Sequence, residues 1–440
     1  MRLKSAASWL APVGRNCVSA DLYKSQDADK VEGASLMADM IVVGGGYVGL
    51  AAALAVKQAA PHMEIVVVEA APAGQWQKDP RASAIIAAAT RMLDVFGVWN
   101  EIEPQSQPIR KMVVTDSRAG DPVRPVFLTF DGDVEEGRPF AHMVPNVAMV
   151  GALLAAAEKA GIRVINGVKA TRFESGPAEA RLGLSDGTEL TARLIVACDG
   201  VRSALRQMAG IKTVTWAYGQ SGIVTTVEHE RPHEGVAEEH FLPAGPFAIL
   251  PLTGNRSSLV WTERSDDADR LVAADDLVFE DELERRFGHK LGAIRAIGDR
   301  RAFPLGLTLA RAFVAPRLAL AGDAAHGIHP ISGQGLNLGF KDVAALAETI
   351  VDADRLGLDI GDVGVLERYQ TWRRFDTFRM GVTTDVLNRL FSNDNTPLRI
   401  LRDFGLGMVD RLPKLKGYFI SEAAGTAAKS GPKLLAGEKI

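Results

Sequence analysis

The chain of 440 residues carries 50 Lys and Arg against 54 Asp and Glu, a formal net charge of −4, with 47% hydrophobic residues. That length buries a large core and fits two intimate domains, and the charge balance offers no electrostatic footprint for nucleic acid. Two cysteines imply neither a disulfide framework nor a cysteine-based metal cluster, and no apolar run is long enough for a bilayer-spanning helix.

Met1 to Ala20 carries Arg2, Lys4 and Arg15 without an acid, a composition compatible with a mitochondrial transit sequence. Pro12 breaks its apolar stretch, which argues against a secretory signal. Lys24 to Ser35 is polar and aperiodic, so the expectation is that translation starts at Met37 and that residues 1–37 form an extension without chemistry. Met40-Ile41-Val42-Val43 then reads as a strand ending in Gly44-Gly45-Gly46-Tyr47-Val48-Gly49. In such a turn Gly44 permits a tight strand-to-helix corner, Gly46 lets backbone approach a pyrophosphate, and Gly49 lets the helix pack closely. The Ala-rich helix Leu50 to Ala59 points its N-terminal N–H groups at the phosphates. The strand Glu64 to Glu69 follows, and Glu69 stands twenty residues after Gly49, where a carboxylate accepts from an adenosine ribose.

Lys111 to Asp116 alternates like a strand. A helix runs through Val150 to Ala157 and a strand through Arg163-Val164-Ile165, and Thr171 to Val196 reads as a β-meander turning at Ser185-Asp186-Gly187-Thr188. Its last strand leads into Asp199-Gly200-Val201-Arg202-Ser203. Asp199 is expected near the pyrophosphate and Ser203 in the same motif; capping of the next helix is the alternative for Asp199, and both can hold. Arg206 is within reach of a phosphate, and Cys198 reads as a small buried core residue. Gly222 to Val227, Phe247 to Leu252 and Ser258 to Glu263 are further strand segments, followed by a helix near Asp275 to Phe287.

Leu318-Ala319-Leu320-Ala321 opens a third signature, Gly322-Asp323-Ala324-Ala325-His326, which extends to Gly333-Gln334-Gly335-Leu336-Asn337 and a helix starting near Gly335. Asp323 ends a strand where it can bind a ribityl or ribose hydroxyl. The Gly333 to Asn337 turn, with Gly333, Gly335, Leu336 and Asn337 as site residues, offers N–H groups at a helix N-terminus, suited to the anionic edge of a reduced flavin. His326 and His329 lie three apart without a third ligand, so no metal is expected; His326 orders the loop, with acid–base catalysis as the alternative. Nothing in the spacing of His142, His240 and Tyr218 selects a catalytic base, and the catalytic set stays unassigned. After Gly361 the pattern is helical. Leu398 to Lys416 mixes apolar and basic residues and reads as a segment on an anionic bilayer surface, as a helix packed on the cofactor domain, or as a docking surface for partner enzymes.

These segments assemble into an α/β chain. A discontinuous Rossmann-like FAD-binding domain comprises 38–98, 146–210 and 300–356, an antiparallel-sheet substrate domain 99–145 and 211–299, and a C-terminal helical region 357–440.

The three motifs together resemble the FAD-dependent aromatic hydroxylases, the single-component flavin monooxygenases that include para-hydroxybenzoate hydroxylase. More narrowly, Asp79-Pro80-Arg81-Ala82-Ser83-Ala84-Ile85, the His326-x-x-His329-Pro330 spacing and Gly333 to Gly339 resemble the ubiquinone-biosynthesis hydroxylases, a likeness running from about Ala38 to about Ala424. Arg81 lies where relatives place an arginine against the flavin or its phosphates, with a surface role as the alternative. Ser332 stands where relatives more often have alanine. Pro145-Asn146-Val147 stands where several have Glu-Asn-Arg, so only Asn146 carries over. The resemblance implies FAD, O2, and NAD(P)H or a reduced carrier met transiently at the flavin, since no second dinucleotide fingerprint occurs. The implied reaction is hydroxylation of the ring of a polyprenylated phenol in ubiquinone biosynthesis. Competing readings are a hydroxylase of a small soluble aromatic, a flavin-dependent prenyl reductase, and a flavin-containing scaffold of a quinone-synthesis complex. The expected location is cytoplasmic or peripheral to the inner membrane, on the matrix face in a eukaryote.

Overall fold

Five short apolar strands run parallel, and their register brings the three glycine signatures to one edge. The computed structural model describes residues 36–116, 126–131, 133–135, 138–329, 333–392, 425 and 431–440. In spatial order the parallel strands are Arg163–Asn166, Ile65–Glu69, Leu36–Val43, Glu189–Ala197 and Leu318–Leu320. Val43 pairs with Val68 on one side and Ala197 on the other, and Ala197 pairs with Leu320. The chain therefore leaves Glu69, Gly44, Cys198 and Ala321 side by side at the carboxyl edge, where open α/β sheets bind ligands. Ile65 to Val68 is buried on both faces, as an interior parallel strand must be. Ala180–Leu184 and Ala170–Ser175 extend the sheet in antiparallel sense.

The helices Tyr47–Ala59, Asn146–Lys159 and Gln334–Arg355 pack with this sheet in one core that includes Leu54, Leu153, Ile195 and Phe340. The first helix begins at Tyr47, three residues before the sequence expectation, because Gly46 is already its N-cap.

A second, nine-stranded sheet has the order His326–Gly327, Arg301–Ala310, Thr213–His229, Arg256–Arg264, Gly245–Leu252, Val236–Leu242, Lys111–Asp116 and Val126–Asp131, with Ile294–Ala296 also on Thr213–His229. It is antiparallel except where Val236–Leu242 lies parallel to Lys111–Asp116. Residues 301–310, expected with the cofactor-binding pieces, run in this sheet instead, held by ten register pairs to Thr213–His229. Helices Ser265–Ala273 and Asp276–Phe287 cover one face around Trp261, Phe247 and Phe279. Ala82–Ile86, Ala141–Pro145 and Gln107–Ile109 form a separate small sheet, whose Ile109, Ala141 and Met143 pack with Ala237 and Leu250 of the nine-stranded one. After Gly361 the chain forms the long helix Val363–Phe391. The N-terminal extension with Cys17, the Pro330 to Ser332 stretch and the amphipathic segment Leu398 to Lys416 lie outside the described residues. No helix among the described residues is long and apolar enough to cross a membrane.

Candidate active site

Each glycine of the first signature meets a different physical demand. Gly44 has φ +111°, and a Cβ there would lie 2.2 Å from the Cys198 carbonyl oxygen. A Cβ on Gly49 would lie 1.8 Å from the Gly44 carbonyl oxygen, so this residue sets how closely the helix sits on the strand. Gly46 is the reverse case: a Cβ would meet no protein atom within 4 Å. It caps the helix without a side-chain hydrogen bond, which leaves first-turn N–H groups for an anion. Glu69 is fixed across from this turn, accepting from the Gly45 N–H at 2.5 Å and the Ala71 N–H at 2.7 Å.

The third signature is organised by a residue absent from the sequence reading. Asp342, fully buried on the helix Gln334–Arg355, accepts from the Gly322 N–H at 3.0 Å, from His326 Nε2 at 2.5 Å and from Arg373 Nε at 2.8 Å. Burial pushes its carboxyl up, but the charges and hydrogen bonds of His326 and Arg373 outweigh that and hold it below the usual carboxylate range. The signal lay in the sequence as an acid whose helix neighbours three and four residues away, Leu338, Gly339, Ala345 and Leu346, are all non-polar. Beside it Asp323 faces the cavity, and its carboxyl is raised, chiefly by burial. Gly333, at φ +62°, caps the helix with no side-chain bond, and a Cβ on Gly335 would meet nothing within 4 Å. Asn337 works as a tie: its Oδ1 accepts from the Ile86 N–H at 3.1 Å, and its Nδ2 donates to the carbonyls of Ala84 and Gly333 at 2.9 and 3.0 Å.

Arg81 reaches the cavity while bound to Asp79, its Nε and Nη2 each donating at 2.8 Å. Asn146 Nδ2 donates to the same carboxylate at 3.1 Å while its Oδ1 accepts from Ser83 Oγ at 2.8 Å, so Asn146 positions Asp79 and, through it, Arg81. Asp199 accepts from the Leu205 N–H at 3.2 Å, and Ser203 Oγ from the Arg206 N–H at 3.0 Å; both residues cap the helix Ala204–Met208. Arg206 departs from expectation. Its guanidinium is spent on the carbonyls of Ala324 and Val201, each at 2.7 Å, and stands in no position to receive a phosphate from the cavity.

The structure brings Gly46, Gly49, Glu69, Arg81, Asp323, Gly333, Gly335 and Leu336 around one cavity of about 1650 Å³, while Gly44, Asp199 and Asn337 support its wall. Its far end is lined by apolar residues of the nine-stranded sheet and of the helix Val363–Phe391, among them Val114, Phe241, Leu250, Val260 and Leu387. His142, His240 and Tyr218 do not line it. His142 packs edge-on against Trp99 at 5.0 Å beside a separate small pocket, His240 bonds Thr115 Oγ1 at 2.7 Å, and Tyr218 packs on His329 at 5.3 Å. No group of three or more His, Cys, Asp or Glu that could hold a metal occurs among the described residues.

Two uncapped helix N-termini, two glycines that leave open space, and carboxylates at two strand ends match the pyrophosphate, hydroxyl and ring edges of FAD. Comparison with known proteins agrees. Residues 37–374 match the FAD binding domain family. The chain is 46% identical over 426 residues to ubiquinone hydroxylase UbiL of Rhodospirillum rubrum, covering 92% of each. It is 34% identical over 395 residues to 3-demethoxyubiquinol 3-hydroxylase of Escherichia coli, covering 88% of this chain and 98% of that one. Among solved structures, p-nitrophenol 4-monooxygenase PnpA from Pseudomonas putida DLL-E4 superposes with a TM-score of 0.75 at 19% identity, over 90% of this chain and 100% of that one. The chain is an FAD-dependent monooxygenase, and it belongs to the ubiquinone-biosynthesis hydroxylase family of the para-hydroxybenzoate-hydroxylase-like flavoproteins.

Proposed function

We propose that this enzyme hydroxylates the aromatic ring of a polyprenylated phenol during ubiquinone biosynthesis. The observation that carries the reading is the continuity of one cavity from the glycine turns to an apolar wall on the large sheet. A small polar aromatic needs no such wall; a hydrocarbon-bearing ring does, because burying each CH2 group is worth about 0.8 kcal/mol.

In this reading the first-turn N–H groups after Gly46 take the pyrophosphate, Glu69 accepts from a ribose hydroxyl, and Asp323 accepts from the ribityl chain. Arg81, oriented by Asp79, supplies positive charge beside them. The helix N-terminus at Gly333 to Leu336 stabilises negative charge on the ring edge of the cofactor. Bound FAD, once reduced by NAD(P)H or a carrier, supplies activation of O2 for oxygen transfer to an electron-rich ring. The protein's share is to position that ring and exclude water around it. The cofactor-binding pieces are then 38–98, 146–210 and a third piece starting after Ala310, with the large sheet as the substrate-binding part. A peripheral contact with the inner membrane, or with a complex of quinone-synthesis enzymes, would deliver such a substrate.

The test is mass spectrometry of quinone lipids from cells lacking the protein, with and without complementation. A prenylated phenol short of one hydroxyl, cleared on complementation, is the expected result and names the ring carbon. An unchanged quinone pool would overturn the reading in favour of a soluble aromatic substrate.

A further inference from the structure

Between Arg373 and Arg389 the long helix Val363–Phe391 turns polar and small side chains inward and large apolar ones outward. Its buried positions there are Arg373, Thr377, Gly381, Thr384 and Asn388. Phe375, Phe378, Val382 and Val386 lie on the opposite face and are exposed, the two phenylalanines at 75% and 59%. Their spacing of three or four residues keeps them in one stripe, about 16 Å long at a rise of about 1.5 Å per residue. A surface helix ordinarily directs such a stripe at the core. An exposed one marks an interaction site.

The charge on that face is of one sign. Arg374, Arg379 and Arg389 are the exposed charged residues between positions 374 and 389. Asp376 and Asp385, which pair with Arg379 and Arg389, are the more buried members of those pairs. Aromatic and aliphatic side chains interleaved with exposed arginines suit lipid, because the apolar groups enter the acyl boundary while the guanidinium groups stay at anionic headgroups. A second copy on the same face would instead bring arginines against arginines, which is unfavourable.

The stripe is also adjacent to the cavity. Met380, Thr383 and Leu387 of the same helix line it, and Thr383 is exposed as well, one turn from Val386. Trp216, another lining residue, donates from Nε1 to Asp385 at 3.0 Å, and the Arg389 guanidinium lies over its ring at 5.7 Å.

We propose that the outward face of this helix docks the enzyme on an anionic bilayer surface, with Phe375, Phe378, Val382 and Val386 in the acyl boundary. A ring bearing hydrocarbon then passes from the bilayer into the cavity beside Thr383 without crossing open water. That route rests on the reading of the cavity as the site for a hydrocarbon-bearing phenol.

The test is flotation of the FAD-loaded full-length protein with vesicles of phosphatidylcholine, either alone or with about one third phosphatidylglycerol. Wild type is expected to bind the mixed vesicles about tenfold or more tightly than the neutral ones. F375S/F378S is expected to lose about tenfold or more on mixed vesicles, with FAD content and melting temperature retained. R374Q is expected to lose about fivefold on mixed vesicles, the worth of one basic residue near the surface, and nothing on neutral ones. A wild type that floats with neither vesicle, or with both alike, overturns the inference. An F375S/F378S protein that floats as wild type does also overturns it. Self-association that F375S/F378S abolishes, without vesicle binding, would assign the face to a second copy instead. Should F375S/F378S lose its FAD, R374Q decides: weaker binding to mixed vesicles alone supports the inference, and unchanged binding overturns it. Failure here is distinguishable from failure of the hydroxylation reading, because the quinone lipids of cells lacking the protein report on the reaction whether or not the protein binds vesicles.

Discussion

At the scale of single residues, the glycines divide into those that protein atoms require and those that leave room for something else. Gly49 is of the first kind, with the Gly44 carbonyl oxygen 1.8 Å from where its Cβ would be. G49A must therefore shift the helix off the strand at a cost of about 1–3 kcal/mol, and the expected result is a lower melting temperature for apoprotein and holoprotein alike. Gly335 is of the second kind, since a Cβ there meets nothing within 4 Å. G335A is expected to leave the apoprotein's melting temperature unchanged and weaken FAD binding by about ten- to a hundredfold, the worth of one hydrogen bond to a charged group. Thermal denaturation and flavin-fluorescence titration of both variants check the contrast, and equal behaviour of the two would contradict it. Asp342 sets a third expectation. Three donors converge on its buried carboxylate, and D342N leaves Arg373 and the Gly322 turn with a poorer acceptor in a dry site. Removing one partner of a buried ion pair costs about 3–5 kcal/mol, so D342N should unfold at lower denaturant and retain less FAD on purification.

At the scale of elements, what could be read from the sequence was what local chemistry encodes. Ile65 to Glu69 announces itself because an interior parallel strand is an unbroken apolar run, and the turn after Val43 because only glycine fits it. The strand Val236–Leu242 carries no such mark. Its Glu238-Glu239-His240 centre breaks the alternation, and its neighbour in the sheet is Lys111–Asp116, a parallel pairing that no local pattern encodes. The helix Ser265–Ala273 was hidden for a related reason: it buries only Ala268 and Leu271. Arg206 illustrates the limit for a single side chain, because the carbonyls it satisfies come from two separate turns. The long helix Val363–Phe391 is joined to the large sheet by another such long-range tie. Asn388 Nδ2 donates at 2.9 Å to Gln220 Oε1, beside the irregularity in register between Ala217 and Gln220. N388L would leave that buried oxygen without its donor, at a cost of about 1–3 kcal/mol. The expected readout is a melting temperature lower by several degrees, with FAD affinity unchanged because the tie is remote from the glycine turns.

At the scale of the whole molecule, buried titratable groups set how the fold responds to acid, and they do so in two steps. His142 is held at about 4 by burial, against an ordinary value of 6.5, and His329 likewise. Between those two values the unfolded chain binds protons that the folded chain refuses, so stability is complete above about pH 6.5 and falls as pH drops toward 4. At 1.36 kcal/mol per unit, each histidine contributes at most roughly 3 kcal/mol to that loss. Glu238 acts lower. Burial raises its carboxyl, but His240 and Lys290 more than compensate and bring it to about 2, below its ordinary 4.5. Its contribution is present above about 4.5 and lost as pH falls toward 2, and Asp342, also depressed, adds in the same direction. Thermal melts of the holoprotein from pH 7 downward should therefore show a first decline beginning well above the carboxylate range. H142Q removes one of the histidines behind that decline, to which His229, also lowered by burial, belongs as well; without touching the cavity, it should lessen the melting curve's pH dependence between about 6.5 and 4 while leaving the lower step in place. An unaltered slope in that window would mean that His142 is protonated in the folded protein, and that burial against Trp99 does not exclude the charge.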